Sequence, residues 1–256
     1  MPGIELFRLD GRVALITGGS KGLGYNMASG LLSAGADVAI CSRHGEEADQ
    51  AAAQLSTEFG RQVRAYECDV SNEVEVENLV SRTIEDLGKI DILIANAGIN
   101  IRGEIDKLTP VEFQEVMNVN VTGVWLCCRA VVPHMKRAKY GRIIALGSVL
   151  SAVGVAYRTP YASSKGAVAM MAKTLALECA GDGITVNALC PGPFLTPMNI
   201  TIADQEETKK FIVGAVPLAR WAELHEIEGA AIFLASDASS YVTGTTLFVD
   251  GGWTAH

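Results

Sequence analysis

Residues 12–24, Arg-Val-Ala-Leu-Ile-Thr-Gly-Gly-Ser-Lys-Gly-Leu-Gly, join a short apolar run directly to a glycine-rich turn, and a helical pattern follows. Glycines let a backbone turn tightly and approach a pyrophosphate, while the next helix offers free N–H groups to the anion. The spacing G-x-x-x-G-x-G differs from the common G-x-G-x-x-G, and a plain strand–helix turn is the alternative. We interpret the turn as a dinucleotide-binding site formed by Gly18, Ser20, Lys21, Gly22, Leu23 and Gly24.

Seven short apolar runs recur along the chain and alternate with longer helical patterns, such as residues 74–87 and 110–135. Several runs are almost continuously apolar, as strands buried on both faces must be. Alternating strands and helices are typical of an α/β fold with a parallel sheet covered on both sides. The predicted strands are residues 12–17, 37–41, 63–66, 90–95, 142–146, 184–189 and 245–249.

The chain reads as one domain over residues 1–256, because it contains no linker, repeat or low-complexity stretch. Residues 194–218 interrupt the alternation with threonines, prolines and mixed charge. Long inserts after a sheet strand often carry function, so this segment is interpreted either as a substrate lid or as a surface helical insert.

Charge and cysteine content exclude several classes of protein. A net charge of −8 argues against a nucleic-acid-binding protein, which needs a basic patch. The six cysteines form no C-x-x-C pair and the four histidines are scattered, so we predict neither a metal site nor disulfides. Free thiols in this number are typical of the cytoplasm. No run of about 18 uncharged apolar residues occurs, so no membrane-spanning helix or signal peptide is expected.

The end of the second apolar run predicts which dinucleotide binds. NAD-binding folds place an acidic residue there to accept bonds from the ribose 2′-hydroxyl. Here the run ends in Ser42 and Arg43, and Lys21 adds a possible second cation from the glycine turn. A guanidinium and a hydroxyl can bind a 2′-phosphate, which a carboxylate would repel. We therefore predict NADP(H); the alternative is that both cations are solvated surface groups.

Tyr161 and Lys165 lie four residues apart, so on a helix they share one face. A phenol has a pKa of about 10, and a fixed ammonium nearby favours the phenolate, which makes the phenol a better acid and base. Ser148 follows the fifth apolar run, where the carboxyl ends of parallel strands face the ligand crevice. Its hydroxyl is placed to bond a substrate oxygen.

Taken together, these motifs resemble a classical short-chain dehydrogenase/reductase over essentially the whole chain. The matching elements are residues 17–24, Asp69-Val70, Asn96-Ala97-Gly98, Asn120, Ser148, Tyr161-x-x-x-Lys165 and Pro191-Gly192. The resemblance implies a Rossmann-like, three-layer, doubly wound sheet of seven mostly parallel strands, usually assembled as a homotetramer or homodimer. It also implies hydride transfer between a secondary alcohol or ketone and the nicotinamide, with Tyr161 exchanging the proton.

The resemblance assigns roles to further residues. Lys165 lowers the Tyr161 pKa and binds the nicotinamide ribose, Ser148 polarises the substrate oxygen, and Asn120 holds a water for a proton relay. The family pattern favours Asn120 over nearby Asn118. The remaining cofactor contacts implied are Asp69 and Val70 at the adenine, Asn96, Ala97 and Gly98 along the cofactor, and Pro191, Gly192, Phe194 and Thr196 around the nicotinamide.

The substrate is a small molecule whose identity the sequence leaves open. One branch resembles gluconate 5-dehydrogenase-like enzymes acting on sugar acids and polyols; the other is 3-oxoacyl-[acyl-carrier-protein] reductase. Asp182 is an acid where the second branch is usually basic, although Lys139 offers one cation. Arg102 and Arg158 are candidates to clamp a substrate carboxylate or are surface cations. A non-catalytic NADP(H)-sensing protein is a third reading, but such a protein need not retain the whole catalytic set.

Overall fold

Seven short apolar segments form one parallel sheet in the computed structural model, which describes residues 3–255 without the side chains of Met198, Thr201, Ile202 and Val213. The strand order is β3-β2-β1-β4-β5-β6-β7, and every neighbouring pair is parallel. The strands are β1 Val13–Thr17, β2 Asp37–Ser42, β3 Val63–Glu67, β4 Ile92–Ala95, β5 Gly141–Leu146, β6 Ile184–Pro191 and β7 Thr246–Val249. The predicted seven-stranded, doubly wound fold is confirmed.

Helices cover both faces of the sheet. The α-helices are α1 Gly22–Ser33, α2 Gly45–Phe59, α3 Glu73–Leu87, α4 Pro110–Met117, α5 Gly123–Ala138, α6 Thr159–Cys179, α7 Pro197–Ala203, α8 Glu206–Ala215 and α9 Glu228–Ala235. Short 3-10 segments lie at Gly3–Phe7, Val149–Ser151, Ala180–Asp182, Leu224–Ile227, Asp237–Ser239 and Trp253–Ala255. A π-helical segment, Asn118–Thr122, joins α4 to α5.

The central strands are buried on both faces, which explains their nearly continuous apolar sequence. Alternate residues of β1 point to opposite sides of the sheet. Ala14 and Ile16 join one apolar cluster with α1 and α9, whereas Leu15 joins the other with α3, α5 and α6. The protein therefore consists of one sheet between two helical layers, and the two apolar clusters fill the spaces between them.

The segment from Pro110 to Ala138 is long and apolar enough, by length and composition, to cross a membrane, yet half of its most apolar stretch is buried in this structure. Val116, Val124 and Val131 are buried and the last two belong to the cluster beneath α5. The core helix of a water-soluble protein has the same character.

Candidate active site

A cleft of about 360 Å³ opens at the carboxyl ends of the strands, where the strand order reverses between β1 and β4. Open α/β sheets bind ligands at this point. Of the predicted residues, the cleft is lined by Gly18, Ser20, Lys21, Gly22, Leu23, Gly24, Ser42, Arg43, Val70, Asn96, Ala97, Gly98, Ser148, Tyr161, Lys165, Pro191, Gly192, Phe194 and Thr196. One cavity therefore joins the glycine turn to the tyrosine–lysine pair.

Asp69 is the predicted cofactor residue that does not line the cleft. Its carboxylate accepts hydrogen bonds from the Ser71 N–H, at 2.9 Å, and from the Ser71 hydroxyl, at 2.7 Å. The side chain thus shapes the turn after β3, and neighbouring Val70 faces the cavity in its place.

The glycine turn is held open by contacts that only glycines permit. Gly18 has a φ of +63°, in the left-handed region, and a side chain on Gly24 would collide with the Gly18 carbonyl. The Asn96 amide donates to the Gly18 carbonyl at 2.9 Å and to the Thr17 carbonyl at 2.8 Å. The Thr17 hydroxyl in turn accepts the Asn96 N–H at 3.0 Å. These bonds fix the turn after β1 to the loop after β4.

The two predicted cofactor cations differ in their surroundings. Lys21 Nζ lies 2.9 Å from a carboxylate oxygen of Glu47, which also lines the cleft. This hydrogen bond lowers the pKa of Glu47 and neutralises the lysine charge locally. Arg43 is exposed, and the described part of the chain places no carboxylate within 4 Å of its guanidinium. Arg43 is therefore the more available cation at this end of the cleft.

Lys165 is almost fully buried, with 3% of its surface exposed. Its ammonium donates to the Leu146 carbonyl at 2.7 Å and lies 5.5 Å from the centre of the Tyr161 ring. Burial lowers the pKa of Lys165 to about 8, since desolvation penalises the charged form. The helix α6 therefore brings both side chains to one face, as their spacing predicts.

The pKa of Tyr161 is raised, and burial is the main cause. The Ser148 hydroxyl and the charges of Arg158 and Arg102 act in the opposite direction, but they do not overcome the loss of solvation. From the spacing of the two residues, Lys165 is predicted to lower this pKa. In the structure burial dominates for both groups, so the phenol keeps its proton and the lysine holds its proton less firmly.

Ser148 stands just after β5 at the start of the 3-10 segment Val149–Ser151. Its hydroxyl oxygen accepts the Leu150 N–H at 3.2 Å, and 7% of the residue is exposed. The hydroxyl hydrogen remains free to rotate toward a ligand oxygen in the cleft.

Asn120 is fully buried in the π-helical segment. Its amide donates to the Ile99 carbonyl at 2.9 Å and to the Ser164 hydroxyl at 3.0 Å, and its oxygen accepts the Ile99 N–H at 2.8 Å. Both amide donors are thus used to tie the loop after β4 to α6. Asn118 is exposed and bonds to Gln114, whereas Asn120 is buried next to Gly98, although Asn120 does not line the cleft itself.

Arg102 and Arg158 meet beside Tyr161. The two loops that carry them are joined by a bond of 3.2 Å from the Gly103 N–H to the carbonyl of Tyr157, a residue with a left-handed φ of +65°. Burial lowers the pKa of Arg158 to about 10, and the charge of Arg102 acts in the same direction. Within residues 3–255 neither guanidinium has a carboxylate within 4 Å. Arg102 is exposed and Arg158 is half-buried, and neither lines the cleft itself, but both charges lie near enough to Tyr161 to act on its pKa.

The sequence analysis missed Thr17, Glu47 and Ser151, all of which contact predicted site residues. Ser151 had a detectable signal, because a serine three residues after Ser148 matches a capping-box spacing. The contacts of Thr17 and Glu47 had no such signal, because they join segments that are distant in sequence.

A family model described as enoyl-(acyl carrier protein) reductase matches residues 18–254. The chain is 39% identical to 5-keto-D-gluconate 5-reductase of Escherichia coli K12 over 97% of each protein. It is 40% identical to a solved gluconate 5-dehydrogenase from Burkholderia cenocepacia in complex with NADP and tartrate, with a TM-score of 0.95 and 99% of each chain covered.

The chain belongs to the short-chain dehydrogenase/reductase family. As a member of this family it is an NAD(P)-dependent oxidoreductase, close to gluconate 5-dehydrogenases. A relative with another substrate is nearly as similar: 2-(R)-hydroxypropyl-CoM dehydrogenase of Xanthobacter autotrophicus is 38% identical over 95% of this chain and 99% of that protein. Overall sequence identity therefore identifies the short-chain dehydrogenase/reductase fold and chemistry. It does not distinguish between substrates, which depend on the residues around the cleft.

The depressed pKa of Lys165 predicts how stability depends on pH. Between about 8 and the unfolded pKa of about 10.4, the unfolded chain holds a proton that the folded chain has lost, so this residue adds stability as pH rises. Between pH 7 and 9.5, the free energy of unfolding of the wild type, measured with urea, should rise by about 2 kcal/mol relative to that of Lys165→Met. An unchanged difference between the two proteins would contradict the assigned pKa.

Proposed function

We propose that this protein is an NADP(H)-dependent oxidoreductase that interconverts a secondary alcohol and a ketone on a small polar hydroxy or keto acid, such as a sugar acid. The observation that carries the substrate class is the convergence of Arg102 and Arg158, without acidic partners, on the phenol of Tyr161. Two adjacent cations, one of them half-buried, are stabilised by an anionic ligand. A carboxylate on the substrate supplies that charge.

The proposed chemistry assigns one task to each side chain. The nicotinamide supplies the acceptor or donor of hydride. Tyr161, once ionised to the phenolate, takes the alcohol proton during oxidation, and the neutral phenol gives its proton to the carbonyl oxygen during reduction. Ser148 donates a hydrogen bond to the same oxygen, and Lys165, adjacent to the phenol, binds ribose hydroxyls and favours the phenolate.

Asn120 positions α6 against the loop after β4 through Ile99 and Ser164. Because both amide donors are used in these bonds, the side-chain N–H groups of Asn120 are not available to hold the predicted relay water.

Replacing Tyr161 by Phe removes the proton donor and leaves the ring. We expect turnover to fall by at least about 100-fold, the usual contribution of general acid–base catalysis, while NADPH binding is retained. NADPH absorbance with a panel of ketones and fluorescence titration measure the two quantities. Full turnover in Tyr161→Phe would remove this residue from the reaction. NADPH binding without turnover of any ketone by the wild type would instead favour a non-catalytic cofactor sensor.

The preference for NADP(H) rests on Arg43 and Ser42, which line the cleft at the end of β2 where NAD-binding folds carry an acid. Uncapped N–H groups at the start of α1, together with the glycine turn, fit a pyrophosphate. The solved relative in complex with NADP is consistent with this assignment.

Substituting Arg43 by Asp should weaken NADPH binding by about 10- to 100-fold and leave NADH binding nearly unchanged, because a charged hydrogen bond to the 2′-phosphate is replaced by repulsion. Lys21→Met should have a smaller effect, since Glu47 already compensates its charge. Lys173→Asp, an exposed charge reversal on α6, is the control. Equal affinities of the wild type for NADPH and NADH would refute the preference.

The carboxylate assignment favours the gluconate 5-dehydrogenase-like branch. A carrier-protein reductase needs a basic docking surface for an acidic partner. The one candidate cation named from the sequence, Lys139, is bound to Asp182, which also lies 3.5 Å from Lys136. This surface therefore offers little free positive charge to an acidic carrier.

Arg158→Met should raise the KM for 5-keto-D-gluconate by about 10- to 100-fold, the value of a charge-assisted hydrogen bond, with little effect on a ketohexose that lacks the carboxylate. Arg137→Met, an exposed arginine at the far end of α5, is the matched control. Parallel losses for the acid and the neutral ketose would contradict a carboxylate contact. Faster reduction of an acetoacetyl thioester than of any sugar acid would favour the carrier-protein branch.

Residues 194–218 are proposed as the substrate lid of this single domain. A bridge between Phe194 and Ala222 closes the base of the segment, and α7 and α8 lie between these points. Phe194, Thr196 and Asn199 line the cleft from this side. Protection of the segment from proteolysis by NADP would support a lid, and unchanged cleavage would contradict it.

We also propose a homotetramer or homodimer in the cytoplasm. Several large apolar side chains on α4, α5 and α6 are exposed, and a second copy of the chain is the proposed cover. They are Val111, Phe113, Trp125, Met170 and Leu177. Sedimentation at the mass of a single chain would contradict the assembly. The cytoplasmic assignment rests on six buried free thiols.

A further inference from the structure

One hydroxyl joins two of the segments that carry the proposed chemistry. Ser151 Oγ donates to the Lys165 carbonyl at 2.8 Å and accepts the Ser148 N–H at 3.2 Å. Ser148 follows β5, whereas Lys165 lies within α6 beside Tyr161. The Ser151 hydroxyl therefore spans the gap between the strand end that presents Ser148 and the helix that presents the phenol.

The packing around Ser151 leaves little space for movement. Gly147, which precedes Ser148, could not carry a side chain, because it would strike Cys190 Sγ and lie 3.1 Å from Ser151 Oγ. Cys190 is fully buried in β6, and its sulfur is 3.8 Å from the same hydroxyl. The Gly147 N–H donates to the Leu189 carbonyl at 2.8 Å, which holds the strand end against β6.

A second bond also joins the end of β5 to α6, from Lys165 Nζ to the Leu146 carbonyl. That ammonium is the group that serves the cofactor ribose in the proposed function, so its bonds change with the ligand. The bond from Ser151 to the Lys165 carbonyl uses main-chain and hydroxyl atoms that no ligand needs. It is therefore the link whose geometry does not depend on what fills the cleft.

We propose that Ser151 is a positioning residue that sets the separation of the Ser148 hydroxyl and the Tyr161 phenol. The inference rests on the proposed function, because it gives Ser151 a role only if these two groups share one substrate oxygen. Ser151 does not line the cleft, so it has no direct contact to offer a substrate or cofactor bound there. It acts through the Ser148 backbone and through the α6 carbonyl to which it is bonded.

The test compares Ser151→Ala with the wild type. We expect kcat to fall by about 10- to 100-fold, as small misplacements of reacting groups do, with the KM for NADPH unchanged. The alkaline midpoint of the pH profile for alcohol oxidation should move to higher pH, because the Ser148 hydroxyl that lowers the Tyr161 pKa is displaced. Ser151→Thr keeps the hydroxyl and should restore most of the rate and the midpoint.

Thr174→Val is the matched control. It removes an exposed hydroxyl that donates to the Met170 carbonyl of the same helix at 3.2 Å. It should leave kcat and the pH midpoint unchanged. Wild-type kcat and midpoint in Ser151→Ala would overturn the inference, and so would a lower kcat with an unmoved midpoint that Ser151→Thr does not restore. Tyr161→Phe, measured in parallel, separates the failure of the two proposals. Retained turnover in Tyr161→Phe refutes the proposed function. If Tyr161→Phe is inactive while Ser151→Ala keeps the wild-type kcat, only the positioning role is refuted.

Discussion

The desolvation of Tyr161 and Lys165 on one helical turn is the physical constraint on which the rest of the site depends. Burial disfavours the charged form of each group, so it raises the pKa of the phenol and lowers that of the amine to about 8. The Leu146 carbonyl compensates the ammonium only in part. Such a pair is costly to bury for packing alone, whereas titratable groups with shifted pKa values beside a cleft are suited to proton exchange.

The arginines near the phenol extend the same constraint. Arg102 and Arg158 stand close to each other and to Tyr161, and within residues 3–255 neither has an acidic partner. On the cofactor side, Lys21 has Glu47 as a partner, whereas Arg43 has no such neighbour in the described structure. Unpaired positive charge therefore lies at the cofactor end of the cleft, on Arg43, and beside Tyr161, despite the net charge of −8. The charge of the whole chain is a poor guide to the charge of the site.

Much of this arrangement could be predicted from the sequence. The strands were detectable because parallel strands buried on both faces have nearly continuous apolar sequence, and each predicted strand agrees with the structure within two residues at either end. Local spacing was enough to place Tyr161 and Lys165 on one face of α6. The pKa of the phenol was not predictable in this way, because a spacing shows a neighbouring charge but not the depth of burial. Nor were Thr17 and Glu47, whose partners are distant in sequence.

The π-helical segment Asn118–Thr122 sets the orientation of a site residue independently of the helices on either side. It holds one extra residue per turn between two ordinary helices, and such bulges arise inside α-helices at functional positions. Removing one residue there would be expected to restore a regular helix and leave α4 and α5 packed as they are. Only the orientation of Asn120, and with it the link between Ile99 and Ser164, would be lost. The wide turn thus orients this asparagine toward Ile99 and Ser164 while the ordinary helices on either side keep their own packing.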